Sequence, residues 1–236
     1  MPRIEGRSSH GPAHPSLDTP AWTPRPGHHG SAYPGLSGRR LLITRYDRDT
    51  VAVIDVAGYI ADLKDHSVDH GFHVHDERHF VETYSLRQAW EVDLHPEEGC
   101  GGPLDLHLAL EVDPRTLLSF EDAVMDLPED AEPADEFHFP LTFTWGLPPL
   151  PHGPDLLRLA IDLAGVGGME LPLEVSAIDS FASATDGPER RLSIVAHHPV
   201  SLARVLAGEE LLCEVFDRCL AVSRFLLEAA PVWLDG

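Results

Sequence analysis

The sequence predicts an α+β fold: an antiparallel sheet of about seven to eight strands packed against a long C-terminal helix, behind a disordered Pro/Gly/His-rich N-terminal tail. Three features carry that expectation. In LDLHLALEV, residues 104–112, Leu104, Leu106, Leu108, Leu110 and Val112 alternate with Asp105, His107, Ala109 and Glu111. That is the period of a strand with one buried face. From Glu209 onward Leu212, Val215, Cys219, Val222 and Leu226 recur at three- and four-residue steps, and Leu211, Phe216, Leu220 and Phe225 broaden the stripe. A stripe that wide suits a helix laid across a sheet. Residues 1–37 show no apolar period, with Trp22 and Tyr33 as their only large anchors, so little there offsets the cost of ordering the backbone. The chain divides accordingly into a flexible tail, 1–37, and a single α+β domain, 38–236.

Within the domain, RLLITRY (40–46) and TVAVIDV (50–56) flank a polar Asp47-Arg48-Asp49 turn and read as a hairpin. GYIADLKD (58–65) and PRTLLSFEDAVM (114–125) read as short helices. AWEVDLH (89–95) pairs with 104–112 around the glycine-rich turn EEGCGGP. FHFPLTFTW (137–145) is a strand whose Pro140 marks an edge or a bulge. LLRLAIDLA (156–164) reads as a strand too, because Leu157, Leu159, Ile161 and Leu163 alternate with Arg158 and Asp162. MELPLEVSAI, with Leu171, Leu173 and Val175 alternating, and RRLSIVAH (190–197) complete the sheet. Pro199 suits the start of the last helical region, which Gly208 interrupts. A helical segment, then strands closed by a long helix, would suit a curved sheet enclosing a ligand cavity, an analogy of element order only.

Composition excludes several classes. Acidic residues number 39 against 17 basic, a formal charge of −22 with histidine neutral, and such a surface repels phosphate backbones. We therefore expect no nucleic-acid partner. No apolar run approaches the ~20 residues of a membrane helix, and the N-terminus lacks a signal peptide's apolar core. Cys100, Cys213 and Cys219 make a poor disulfide framework and read as reduced thiols of a cytoplasmic protein.

The densest chemistry lies in DHSVDHGFHVHDERHF, residues 65–80, with His70, His73, His75 and His79 as candidate metal ligands. In a strand, His73 and His75 share a face, about 7 Å apart; in a helix, His75 and His79 do, as in a zinc-binding HExxH pattern. The sequence HDERH places Asp76 where that pattern has Glu, a shorter and less suitable general base. Glu97 or Glu98 could supply a third ligand to the helical pair, and a strand turning directly into a helix would gather all three histidines. The metal would be divalent zinc, iron or manganese.

A second constellation follows from the leucine alternation. Glu91, Asp93 and His95 must share a sheet face with Asp105 and His107, where carboxylate and imidazole could exchange protons or simply be solvated. His197-His198 sits where the last strand nears the helix. Gly165-Val166-Gly167-Gly168 lacks the third glycine and following helix of a dinucleotide loop, Glu170 and Pro172 standing there instead. Cys100 has no basic neighbour in sequence that would activate it. There is no GxSxG elbow and no Walker loop. No catalytic residue or cofactor site is assigned beyond the histidines.

The reading that follows is a cytoplasmic, acidic binding or accessory protein without catalytic activity of its own, acting on a protein partner or small-molecule ligand. One alternative is a metal-dependent hydrolase using His70–His79; another is a small-ligand-binding or lyase-type protein with a sheet-and-helix cavity. An exposed edge strand would allow a homodimer.

Overall fold

The computed structural model describes residues 54–128, 131–151, 153–181, 183, 189–210 and 212–235. The tail 1–37, and the hairpin expected over 40–56 as far as residue 53, lie outside the described residues. At the end of that hairpin the expected strand gives way to a helix. Asp55 Oδ1 accepts the Gly58 N–H at 2.8 Å and starts α1, Val56–Asp69, which extends the predicted helix by two residues before and four after.

Strands β1 (Phe72–Val81), β2 (Gln88–Pro96), β3 (Asp105–Val112) and β4 (His138–Gly146) form an antiparallel meander. Helix α2, Pro114–Met125, lies between β3 and β4, over the predicted residues. The chain then runs through α3 (Leu156–Gly167), β5 (Leu173–Ser180) and β6 (Glu189–Ser201), and ends in α4 (Leu202–Ala207) and α5 (Cys213–Asp235). The sheet order is β1-β2-β3-β4-β6-β5, every pairing antiparallel. Among the described residues the sheet has six strands rather than seven or eight.

Part of that difference is α3. Asp155 Oδ1 accepts the Arg158 N–H at 2.8 Å, and Arg158 Nε donates to Asp162 Oδ2 at 2.9 Å, a cap and an i,i+4 pair that a strand cannot make. The helix buries Leu159 and Leu163 and leaves Leu157 and Ile161 exposed. In a run this apolar, four leucine-type residues satisfy both periods; the burial of Leu159 and Leu163 decides between them, and the cap reinforces the helix. Pro199 also differs from expectation: it lies in β6 opposite Pro140 of β4. The following helix starts at Leu202, where Ser201 Oγ accepts the Arg204 N–H at 3.2 Å. Gly208, at φ 71°, ends α4 in the left-handed conformation that glycine adopts without steric cost.

The core sits on one face of the sheet. Leu106, Leu108 and Leu110 of β3, Leu141, Phe143 and Trp145 of β4, and Ile194 and Ala196 of β6 are almost fully buried. α5 lies over them with Phe216, Cys219, Val222 and Leu226, each 0% exposed. Trp145 Nε1 donates to Ser223 Oγ at 2.9 Å, which satisfies the one polar atom the indole brings inside. α1 covers the β1–β2 end of the same face, where its Lys64 pairs with Glu77. α3 packs against β5 and α5.

Candidate functional site

Alternation along the strands leaves the other sheet face without a helix among the described residues, and the polar residues of the sequence gather there. Register places Asp93 opposite His107 and Glu91 opposite Ala109, so the expectation that Glu91, Asp93, His95, Asp105 and His107 share a face holds. Their contacts form a network. His107 Nδ1 lies 2.7 Å from Asp93 Oδ1, and His95 Nε2 lies 2.8 Å from Asp105 Oδ1. Arg78 of β1 reaches across to Asp93 Oδ2 at 3.0 Å, Glu91 Oε2 at 3.2 Å and Asp76 Oδ2 at 3.3 Å. Asp93 foremost, with Glu91 and Asp76, raises the affinity of the Arg78 guanidinium for its proton. On β4 and β6 the same face continues as Thr142, whose Oγ1 lies 3.2 Å from His197 Nδ1. His198 points to the opposite side, where burial and then Arg204 push its imidazole pKa down.

The structure does not gather the four predicted histidines of residues 65–80 at one point: His73 and His75 both lie beside His95, while His70 and His79 lie elsewhere. The backbone is extended from Phe72 to Val81, with a bulge between Val74 and Asp76 that takes His75 out of the alternation. The helical turn that would have joined His75 to His79 is thus replaced by strand. His70 caps the C-terminus of α1, its Nδ1 2.7 Å from Asp217 Oδ1 of α5. His73 lies opposite His95, with Nε2 3.8 Å from Glu97 Oε1, the carboxylate imagined as a further ligand. His75 sits with its ring centroid 4.1 Å from that of His95 and Nε2 3.6 Å from Cys100 Sγ. His79 stacks on Trp90 at 3.8 Å, with Nε2 2.9 Å from Gln88 Oε1.

Two neighbourhoods here bring together residues that the sequence analysis did not join. Cys100, read as having no basic neighbour, has His75 beside it because the β2–β3 turn folds back over the bulge. This turn and α5 enclose a shallow recess of about 590 Å³ lined by Glu98, Gly99, Cys100, Gly102, Arg224 and Leu227. A hydrogen bond from Arg224, the main cause, holds the Glu98 carboxyl below the usual range. The other neighbourhood is the group His66, His70 and Cys213, whose ligand atoms all lie within 4.8 Å of one another. The signal for half of it was present as histidines four apart at 66 and 70, but the predicted helix stopped at residue 65.

No described helix is long and apolar enough to cross a membrane. Comparison with protein-family models, with curated proteins and with solved structures finds no match for this chain.

Proposed function

We propose that the chain is a non-catalytic binding or accessory protein that receives a basic protein segment on the open face of its sheet. One observation carries this: among the described residues helices cover a single face of the sheet, and the other face presents Asp76, Glu91, Asp93, Asp105, Glu111 and Glu174. Arg78 partly neutralises the β1–β3 end, whereas Glu111 and Glu174 are exposed. A cationic partner complements this field and gains on-rate from it, the more so with the chain at −22. The free thiols Cys100, Cys213 and Cys219 fit a reducing cytoplasm. Among the described strands β5 is the edge at which a second copy could pair, since bulge and charge blunt the other described edge, β1.

The test separates this face from overall charge. An arginine-rich peptide is titrated into wild-type protein and two triple variants at two salt concentrations. Asp105→Asn/Glu111→Gln/Glu174→Gln removes three charges from the face; Asp62→Asn/Asp122→Asn/Glu228→Gln removes three elsewhere. The face variant should bind at least about tenfold more weakly, on the scale of ~0.5 kcal/mol per rim charge, with the control close to wild type. Equal weakening in both would reduce the effect to bulk electrostatics and overturn the reading.

A further inference from the structure

We infer that His66, His70 and Cys213 form a zinc site joining the end of α1 to the start of α5. This site is independent of the open sheet face. Each residue contributes one donor atom, all three lie within 4.8 Å of one another, and all three side chains are half-buried. The local structure explains the convergence. His66 and His70 are four residues apart at the C-terminal end of α1, so they stand one above the other on a single side of it. Cys213 is the first residue of α5, and Asp217, four residues on, shares its side of that helix.

The surroundings match those of a metal-ligating imidazole. His70 Nδ1 lies 2.7 Å from Asp217 Oδ1, and the ring stacks on Phe216 with centroids 6.1 Å apart. A carboxylate holding one ring nitrogen fixes orientation and tautomer and leaves Nε2 for the ion. The chain enters α5 through Leu212, a buried leucine at φ 53°, a conformation uncommon for a residue of that shape.

Donor chemistry selects the ion. Two imidazoles and a thiolate suit zinc, whereas magnesium and calcium demand oxygen ligands. Zn–N of about 2.0–2.1 Å and Zn–S of about 2.3 Å put tetrahedral donors roughly 3.3–3.7 Å apart. Closing from the present spacing needs shifts of about 1 Å or less, which half-buried side chains can make. Three protein donors leave the fourth position to water. Binding releases the thiol proton to solvent and cross-links two helices far apart in sequence.

The experiment uses the full chain, reduced and stripped with chelator, then titrated with zinc chloride and separately with cobalt(II). We expect one equivalent of zinc carried by this site, and a thiolate-to-cobalt charge-transfer band that only a cysteine ligand produces. A hundredfold excess of zinc over its dissociation constant should raise the melting temperature by about 5–10 °C. Cys213→Ser and His66→Gln should abolish the band and the thermal shift, while Cys100→Ser, which removes the other thiol beside a histidine, should preserve both. Asp217→Asn leaves all three donors in place and should weaken affinity by about 10–100-fold; it carries the test if a ligand variant does not fold. Wild-type protein without the band, a Cys213→Ser protein that keeps it, or an Asp217→Asn protein with unaltered affinity would overturn the site. Transfer of the loss to Cys100→Ser would do the same.

Discussion

Glu121 illustrates what a single residue contributes when its surroundings oppose its charge. It lies on α2 at 6% exposure, and burial, followed by the neighbouring Asp122, pushes its carboxyl pKa up. The sign follows from linkage. A carboxyl whose folded pKa exceeds its unfolded one holds its proton longer in the native state, so ionising it costs stability above the folded pKa. That cost fades as pH falls through the folded value toward the ordinary 4.5. Glu121→Gln should therefore raise the urea midpoint at pH 7.5, and the gap from wild type should close as pH approaches the ordinary carboxylate range. A gap constant across that window would assign the effect to packing. Ser223 is the opposite case, a buried polar residue whose hydroxyl accepts from Trp145 and costs nothing unpaired.

At the scale of elements, α3 shows where periodicity runs out. LLRLAIDLA satisfies a strand and a helix equally well, and only tertiary partners choose. The choice can be measured, because a strand would place Leu157, Leu159, Ile161 and Leu163 on one face, whereas the helix splits them into a buried and an exposed pair. Leu163→Ala should cost about 2–5 kcal/mol in chemical denaturation, the usual range for a buried leucine. Leu157→Ala should stay within about 0.5 kcal/mol. Comparable losses at both positions would return the segment to a strand. β1 teaches a related lesson. The sequence posed a strand, a helix, or a strand turning into a helix for residues 72–79, but the backbone stays extended through a bulge at His75, which leaves His73 and His75 beside His95 and His79 on Trp90.

For the molecule as a whole, charge is the dominant property. With −22 and few basic residues to offset it, self-repulsion destabilises the compact state. Raising sodium chloride from about 10 mM to about 150 mM shortens the screening length from about 30 Å to about 8 Å. The melting temperature should rise by a few degrees over that interval in calorimetry. A fall would mean that the ion pairs around Arg78 outweigh the repulsion.

The sequence by itself determined the α+β class, strands β2 to β4, the limits of α2, the stripe of α5 and the shared face of Asp93 and His107. Each follows from a repeat of two or of about 3.6 residues, which is local information. Only the tertiary structure decided that 156–167 is a helix, that Pro199 closes a strand, and that Cys213 meets His66 and His70. Those outcomes depend on side chains far apart in the chain, brought together when α1 and α5 settle on the same sheet face. No period in a sequence records such a meeting.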